Sequence, residues 1–77
     1  MSTDKKHNVQ AILDAINIAG GAKELSHKIN TSYQSILDWK NARKTPTALN
    51  CLKIEKATEG KIKAKDILPN YPWDELK

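Results

Sequence analysis

The side chains of this chain that could recognise another molecule are concentrated in one polar stretch, from Ser32 to Lys44. The amide of a glutamine such as Gln34 can make two hydrogen bonds to the edge of an adenine base. Arg43 and Lys44 follow shortly afterwards, and cationic side chains of this kind contact phosphate. These residue types and their spacing therefore indicate contact with a polyanion rather than a chemical reaction.

Catalytic and metal-binding sets are not evident in the sequence. His27 has no cysteine, aspartate or second histidine at ligand spacing, so we predict no metal site. Cys51 has no base or orienting carboxylate at a suggestive spacing, and we interpret it as a small buried hydrophobic residue. We therefore expect no catalytic residue, no cofactor and no small-molecule substrate, and we predict that the chain is not an enzyme.

The stretch from Ala22 to Asn41 has the pattern of two short helices joined by a tight turn. Four apolar residues fall where such a unit needs inward-facing side chains, namely Leu25, Ile29, Ile36 and Trp39. Asn30 stands at the turn and tolerates the left-handed conformation, and Ser32 can cap the second helix. The spacing therefore predicts a helix-turn-helix, a motif that places its second helix in a DNA major groove.

The other side of the second helix is predicted to face outward, towards DNA. We predict that it reads bases through Tyr33, Gln34, Leu37 and Asp38. An acidic residue repels phosphate, so Asp38 either accepts a hydrogen bond from cytosine or holds a neighbouring side chain in place. Contacts to the DNA backbone are predicted for Ala22, Lys23, Ser32, Ser35, Lys40, Asn41, Arg43 and Lys44.

The distribution of charge supports the same interpretation. The net charge is +4, and the first 39 residues are balanced. From Lys40 to Lys65, eight basic residues stand against two glutamates, whereas the last twelve residues are net acidic. Lysine-rich surfaces are common and can be merely solvated. Because the basic segment begins where the second helix ends, however, its position favours phosphate contacts beside a groove-bound helix.

The remaining sequence supplies the helices that position this unit. Val9, Ile12, Leu13 and Ile16 have the spacing of one apolar helix face. This first helix is predicted to be capped by Asp4 or Asn8 and to end at Gly20-Gly21. A further helix over about Ala48–Glu59 is predicted to be capped by Thr47. It has a broad apolar side formed by Leu49, Cys51, Leu52, Ile54 and Ala57. Ile62, Ile67 and Leu68 are expected to return to the core, which gives an all-α bundle of four to five short helices.

A chain of 77 residues, 39% of them hydrophobic, makes one small domain. We predict a mobile N-terminus at residues 1–7, a helix-turn-helix domain at residues 8–69 and a C-terminal tail at residues 70–77. In the tail, Tyr71 is expected to be pinned on the domain, and the position of Trp73 is left open. There is no apolar run long enough to span a membrane and no apolar signal region, and one cysteine fits a reducing compartment, so we predict a cytoplasmic location.

A resemblance to a known family lies in two runs, GGAKELSHKINTSYQSILDWKNARKTP and CLKIEKATEGKIKAKDILP. From Val9 to Tyr71 the chain resembles the Cro-type helix-turn-helix regulators of phages and prophages, and in particular the small YdaS-like, antitoxin-like group. The resemblance implies an all-helical domain that binds operator DNA, usually as a homodimer, with the outward residues of the second helix facing the bases. Many members have glycine where this chain has Ala42.

The preferred hypothesis is a sequence-specific transcriptional regulator, a Cro-like repressor of phage or prophage origin. Two copies would place their helices over residues 32–40 in the major groove of a pseudo-palindromic double-stranded operator, with half-sites about 34 Å apart. The alternative is an antitoxin or adaptor that acts mainly through protein–protein interaction, motivated by Leu37 and by the tail WDELK. Binding to random duplex DNA would separate the two hypotheses.

Overall fold

Residues 7–76 are described by a computed structural model, and within them five α-helices are joined by short connections. The helices are α1 (Val9–Ala19), α2 (Ala22–Lys28), α3 (Tyr33–Lys40), α4 (Ala48–Ala57) and α5 (Ala64–Ile67), followed by a 3₁₀ helix over Trp73–Leu76. No strand occurs in this range, so the all-α prediction is confirmed. The longest of these helices, α1, has 11 residues, and none in the described range could cross a membrane.

Capping side chains set the beginnings of three helices. Asn8, Ser32 and Thr47 cap α1, α3 and α4. Each accepts a hydrogen bond from a backbone N–H two or three residues later, at distances between 3.0 and 3.3 Å. Helix α1 ends at Gly20, whose φ of 99° is accessible to glycine without a Cβ penalty. These caps and this stop confirm the prediction; Asp4, the alternative cap of α1, lies outside the described residues.

The turn between α2 and α3 spans residues 29–32. Asn30 has a φ of 57°, the left-handed conformation that was predicted for it. The N–H of Thr31 donates to the Ser26 carbonyl oxygen at 2.9 Å, which draws the chain back along the end of α2. Helices α2 and α3 pack against each other and against α1, an arrangement consistent with a helix-turn-helix.

One hydrophobic core takes residues from all five helices. It consists of Ala11, Ile12, Ala15, Leu25, Ile29, Ile36, Trp39, Cys51, Ile54, Ile62, Ala64, Ile67 and Leu68. The four apolar residues predicted to form the interior of the helix-turn-helix are all among them. The return of the segment after α4 to the core, predicted from its isoleucines and Leu68, is also confirmed.

Helix α4 turns only part of its predicted apolar side to the core. Leu49 and Leu52 are 62% and 45% exposed, whereas Cys51 and Ile54 are fully buried. Thr58, which follows the helix, completes the buried face at 1% exposure. The predicted apolar side is therefore only partly buried, because positions 51, 54 and 58 form one helical stripe and positions 49 and 52 lie on another. On α1, Leu13, predicted on the apolar face, is 39% exposed.

Two polar side chains that the sequence analysis did not single out close the turn between α4 and α5. The Thr58 hydroxyl donates to the Ile54 carbonyl oxygen at 3.0 Å and accepts from the Ile62 N–H at 3.1 Å. The carboxylate of Glu55 accepts from the Ala64 N–H at 2.7 Å. Because these bonds satisfy buried backbone groups, the turn can pack tightly against the core.

Both ends of the described chain are tied to the helices. His7, for which no structural role was predicted, is buried and donates from Nε2 to the Trp39 carbonyl oxygen at 2.8 Å. The rest of the predicted mobile N-terminus, residues 1–6, lies outside the described residues. In the tail, Trp73 packs on the core and donates from Nε1 to the Leu68 carbonyl oxygen at 2.7 Å. Tyr71 is 37% exposed and its ring lies 4.7 Å from that of Trp73, so Trp73 is the residue that holds the tail.

Ala42, just after α3, has a φ of 62°, a conformation that strains alanine more than glycine or asparagine. Because its methyl group is exposed, Ala42→Gly loses no buried contact. We expect this substitution to raise the free energy of unfolding by about 0.5–1 kcal/mol in urea denaturation, after allowing for the greater freedom of glycine in the unfolded chain. Asn30→Gly is the matched control and should gain less, since asparagine tolerates this region. Equal effects at both positions would contradict the assignment of strain to Ala42.

Candidate nucleic-acid interface

Helix α3 is buried on one side and exposed at its first turn on the other. Ile36 is fully buried and Trp39 is 4% exposed. Tyr33 is 51% exposed, and Gln34 beside it is also exposed, as predicted. Leu37, one turn later, is half-buried. The first turn of α3 therefore offers a phenol and an amide to another molecule, while the opposite side anchors the helix in the core.

Asp38 does not lie on the outward face, contrary to the prediction. It is 7% exposed, and its carbonyl oxygen accepts from the N–H groups of Arg43 at 2.8 Å and Lys44 at 3.3 Å. The loop over residues 41–44 thus folds back against the end of α3, and this return reduces the exposure of Asp38. Direct contact between this carboxylate and a base is correspondingly restricted.

The Asp38 carboxylate joins the exposed amide to the basic loop. Gln34 Nε2 donates to Asp38 Oδ1 at 3.1 Å. Arg43 Nη1 lies 3.7 Å from Oδ1, and Lys44 Nζ lies 3.9 Å from Oδ2. Ion pairs of such length with largely exposed cations contribute little to stability. Arg43 and Lys44 are therefore kept near Gln34 without being fixed, so their charges stay accessible.

The beginning of α2 lies next to the beginning of α3. Both helices contribute to a shallow concavity lined by Gly20, Gly21, Ala22, Lys23, Glu24 and Tyr33. Ala22 and Lys23, two of the predicted contacts to a DNA backbone, are thereby brought beside Tyr33. The exposed Lys23 supplies a positive charge there, and Glu24 places a negative one next to it.

The other predicted contacts lie along the same helix. The hydroxyls of Ser32 and Ser35 are hydrogen-bonded to each other at 2.9 Å at the N-terminus of α3. Lys40 is half-buried in the last turn, and Asn41 is exposed after it. The predicted residues thus form a strip from the start of α2, along α3, to the loop over residues 41–44; their roles towards DNA stay predictions.

One link within this strip was not assigned from the sequence, namely the bond between Gln34 and Asp38. The two residues are four apart on a helix, and a glutamine and an aspartate at that spacing commonly form a hydrogen bond. The spacing itself was therefore the available signal. What it could not show is that the loop would close over the aspartate.

Cys51 lies outside this strip, in the core. Burial raises the pKa of its thiol from 9.0 to about 12. The thiol therefore stays protonated at neutral pH and is a poor nucleophile, which agrees with its interpretation as a buried hydrophobic residue.

The fold and this strip define a small all-helical domain in which the exposed first turn of α3 adjoins a basic loop. A family model described as "Bacterial toxin YdaS" matches residues 12–76, and the chain belongs to this family. This match confirms the resemblance to the YdaS-like group. It indicates a small protein of the toxin–antitoxin or regulatory type. Comparison with curated proteins and with solved structures gave no significant match.

Proposed function

We propose that this chain is a sequence-specific DNA-binding regulator, a Cro-like repressor of phage or prophage origin. The proposal is carried by the different exposure of the two sides of α3. Ile36 and Trp39 are buried on one side, and Tyr33 and Gln34 are exposed on the other. A helix held in this way can enter a major groove with its first turn against the base edges. Gln34 would pair with a base through its amide, and Tyr33 would contact a base edge or a phosphate oxygen.

The charges around α3 support binding to a DNA backbone. Lys23 lies by the first turn of α3, and Arg43 and Lys44 lie in the loop that is held by Asp38. Cations at both ends of a groove-bound helix would neutralise phosphates on either side of the groove and release counterions. These contacts would supply affinity, whereas Gln34 would supply sequence preference.

Two further elements complete the proposal. The chain would bind a pseudo-palindromic operator as a homodimer, because one recognition helix as short as α3, with 8 residues, contacts few bases. The half-sites would lie about 34 Å apart. We also propose that it acts in the bacterial cytoplasm, where the operator is, and that it binds DNA without catalysing a reaction.

Selection of bound sites from a random duplex library tests the proposal. We expect the wild-type protein to select a symmetric site. On that site, Gln34→Ala should lose about 1–3 kcal/mol of binding free energy, because one base loses its amide partner. On random duplex the same variant should bind almost like the wild type, since phosphate contacts are unchanged. Fluorescence anisotropy titrations measure both affinities.

Gln10→Ala is the matched control for this substitution. Gln10 lies on α1 and donates to Asp14 at 3.0 Å, the same kind of contact as that between Gln34 and Asp38, but it lines a different concavity, with Lys61 and Lys65. The control should leave both affinities unchanged. A similar loss for Gln34→Ala on selected and random DNA would show that Gln34 does not read a base.

A second candidate function is an antitoxin or adaptor that acts mainly by protein–protein interaction. It is favoured by the exposed Leu49 and Leu52 on α4 and by the description of the family as a bacterial toxin. A mobility shift with random duplex at low salt separates the two candidates. Absence of binding at low salt would favour this second function over the first.

A further inference from the structure

The carboxylate of Asp38 contacts both kinds of group that the proposed function needs. Its Oδ1 accepts from Gln34 Nε2 at 3.1 Å, and both of its oxygens lie within 4 Å of a cationic nitrogen, on Arg43 and on Lys44. Its backbone carbonyl oxygen receives the N–H groups of the same two loop residues. One nearly buried residue therefore connects the base-reading amide with the phosphate-binding loop.

The chemistry of this contact fixes the direction of the Gln34 amide. An ionised carboxylate only accepts hydrogen bonds, so the amide must turn its NH₂ group towards Asp38 and its Oε1 away from it. One N–H is used by Asp38. The other N–H and the oxygen remain for a ligand.

We propose that Asp38 is a positioning residue that holds the Gln34 amide in this orientation and thereby makes Gln34 select adenine over guanine. In the major groove adenine offers a donor, its N6 amino group, beside an acceptor, N7, and this pair matches a free amide oxygen beside a free N–H. Guanine offers only acceptors there, so the amide oxygen would face another oxygen. The inference rests on the proposed DNA-binding function and adds the identity of the base that Gln34 reads.

Burial distinguishes this contact from the otherwise similar one on α1. Gln10 and Asp14 are both exposed, and water competes for their hydrogen bond. Asp38 is 7% exposed, so fewer water molecules can replace Gln34 as its partner. The lower local dielectric also strengthens the bond. The Gln34 amide is therefore held more firmly than an exposed pair at the same spacing would allow.

The variant Asp38→Asn tests the proposal, because it keeps the shape of the side chain but gives it an N–H donor. An asparagine at this position can donate to Gln34 Oε1, so the amide can also adopt the reversed orientation. In library selections the base pair read by Gln34 is identified as the one whose preference is lost in Gln34→Ala. At that pair we expect Asp38→Asn to lower the preference for adenine over guanine by roughly tenfold.

Asp14→Asn is the control for the loss of one negative charge. Both variants should bind random duplex slightly more tightly than the wild type, Asp38→Asn somewhat more so because it lies beside Arg43 and Lys44. Only Asp38→Asn should change base preference. If the wild type selects a site and Asp38→Asn keeps the same preference, the positioning role is overturned while the proposed function stands. If the wild type selects no site, both the proposed function and this inference are overturned.

A second measurement follows the contact in the free protein and does not depend on DNA. In ¹H–¹⁵N spectra, the side-chain NH₂ resonances of Gln34 should shift in Asp38→Asn, and by more than those of Gln10 shift in Asp14→Asn. Unchanged Gln34 resonances in a folded Asp38→Asn protein would show that the amide is not held by Asp38. If Asp38→Asn does not fold, the double variant Arg43→Ala with Lys44→Ala provides a second test, because it retains the bond between Gln34 and Asp38. This double variant should keep the preference for adenine, and loss of that preference would contradict the proposal.

Discussion

Replacing Trp39 with alanine is expected to lower the free energy of unfolding by about 3–5 kcal/mol. Trp39 is 4% exposed and belongs to the single core that all five helices share. Its carbonyl oxygen also receives the His7 side chain. A domain of this length has a total stability on the order of 4–12 kcal/mol, so the variant should lose a large part of it. Urea denaturation followed by far-UV circular dichroism measures the change.

Tyr33→Ala is the matched control, because it removes an exposed aromatic ring from the same helix. Its free energy of unfolding should change by about 0.5 kcal/mol or less. If Trp39→Ala proved as stable as Tyr33→Ala, the assignment of the two sides of α3 would be wrong. The proposed recognition by Gln34 depends on that assignment and would then lose its basis.

The double substitution Arg43→Ala with Lys44→Ala is expected to weaken binding to every duplex on the order of a hundredfold at 0.1 M salt. Each phosphate contact contributes about 0.9 to the slope of log K against log salt, so two lost contacts should reduce this slope by about 1.8. Both side chains are exposed and are held near α3 only by long ion pairs to Asp38, so they can turn towards phosphates. Anisotropy titrations between 50 and 200 mM salt, on selected and random duplexes, measure the slope.

Lys61→Ala with Lys65→Ala removes the same charge from the segment after α4, where both lysines are exposed. This control should reduce affinity only slightly, through the net charge of the domain. A loss as large as that of the Arg43 and Lys44 variant would mean that overall charge, and not the loop beside α3, drives binding.

The features that depend only on residues close together in the sequence were the ones that the sequence predicted. Ser32 and Thr47 cap their helices because a hydroxyl can accept a hydrogen bond from a backbone N–H three residues later in the chain. Asn30 adopts the left-handed turn because its own side chain tolerates that conformation. Neither result requires knowledge of what packs nearby.

The choice of buried face on α4 depends instead on tertiary partners. Its apolar residues form two stripes, one with Cys51 and Ile54 and the other with Leu49 and Leu52, and hydrophobicity alone does not choose between them. The structure buries the stripe that ends in Thr58. The hydroxyl of Thr58 donates to the Ile54 carbonyl oxygen and accepts from the Ile62 N–H. A buried threonine with these partners costs little, but the partners belong to a turn whose path the sequence does not specify.

The candidate site was only partly predictable, because some of its features follow from the local sequence and others depend on tertiary contacts. The exposure of Tyr33 and Gln34 follows from helical periodicity once Trp39 is assigned to the core. The burial of Asp38 does not, because it depends on the return of the loop through Ala42, an alanine in a conformation that residue type would not suggest. The return of this loop to Asp38 thus determined which polar side chains of α3 remained exposed.

The burial of Cys51 has a practical consequence for testing the proposed arrangement of two copies on an operator. It is the chain's single cysteine, and its thiol is sequestered and protonated at neutral pH. A maleimide spin label or fluorophore would therefore attach selectively to a cysteine introduced on the surface, for instance in Leu49→Cys, without prior removal of the native one. Dipolar spectroscopy or energy transfer between two such labels would then report the separation of the protomers directly.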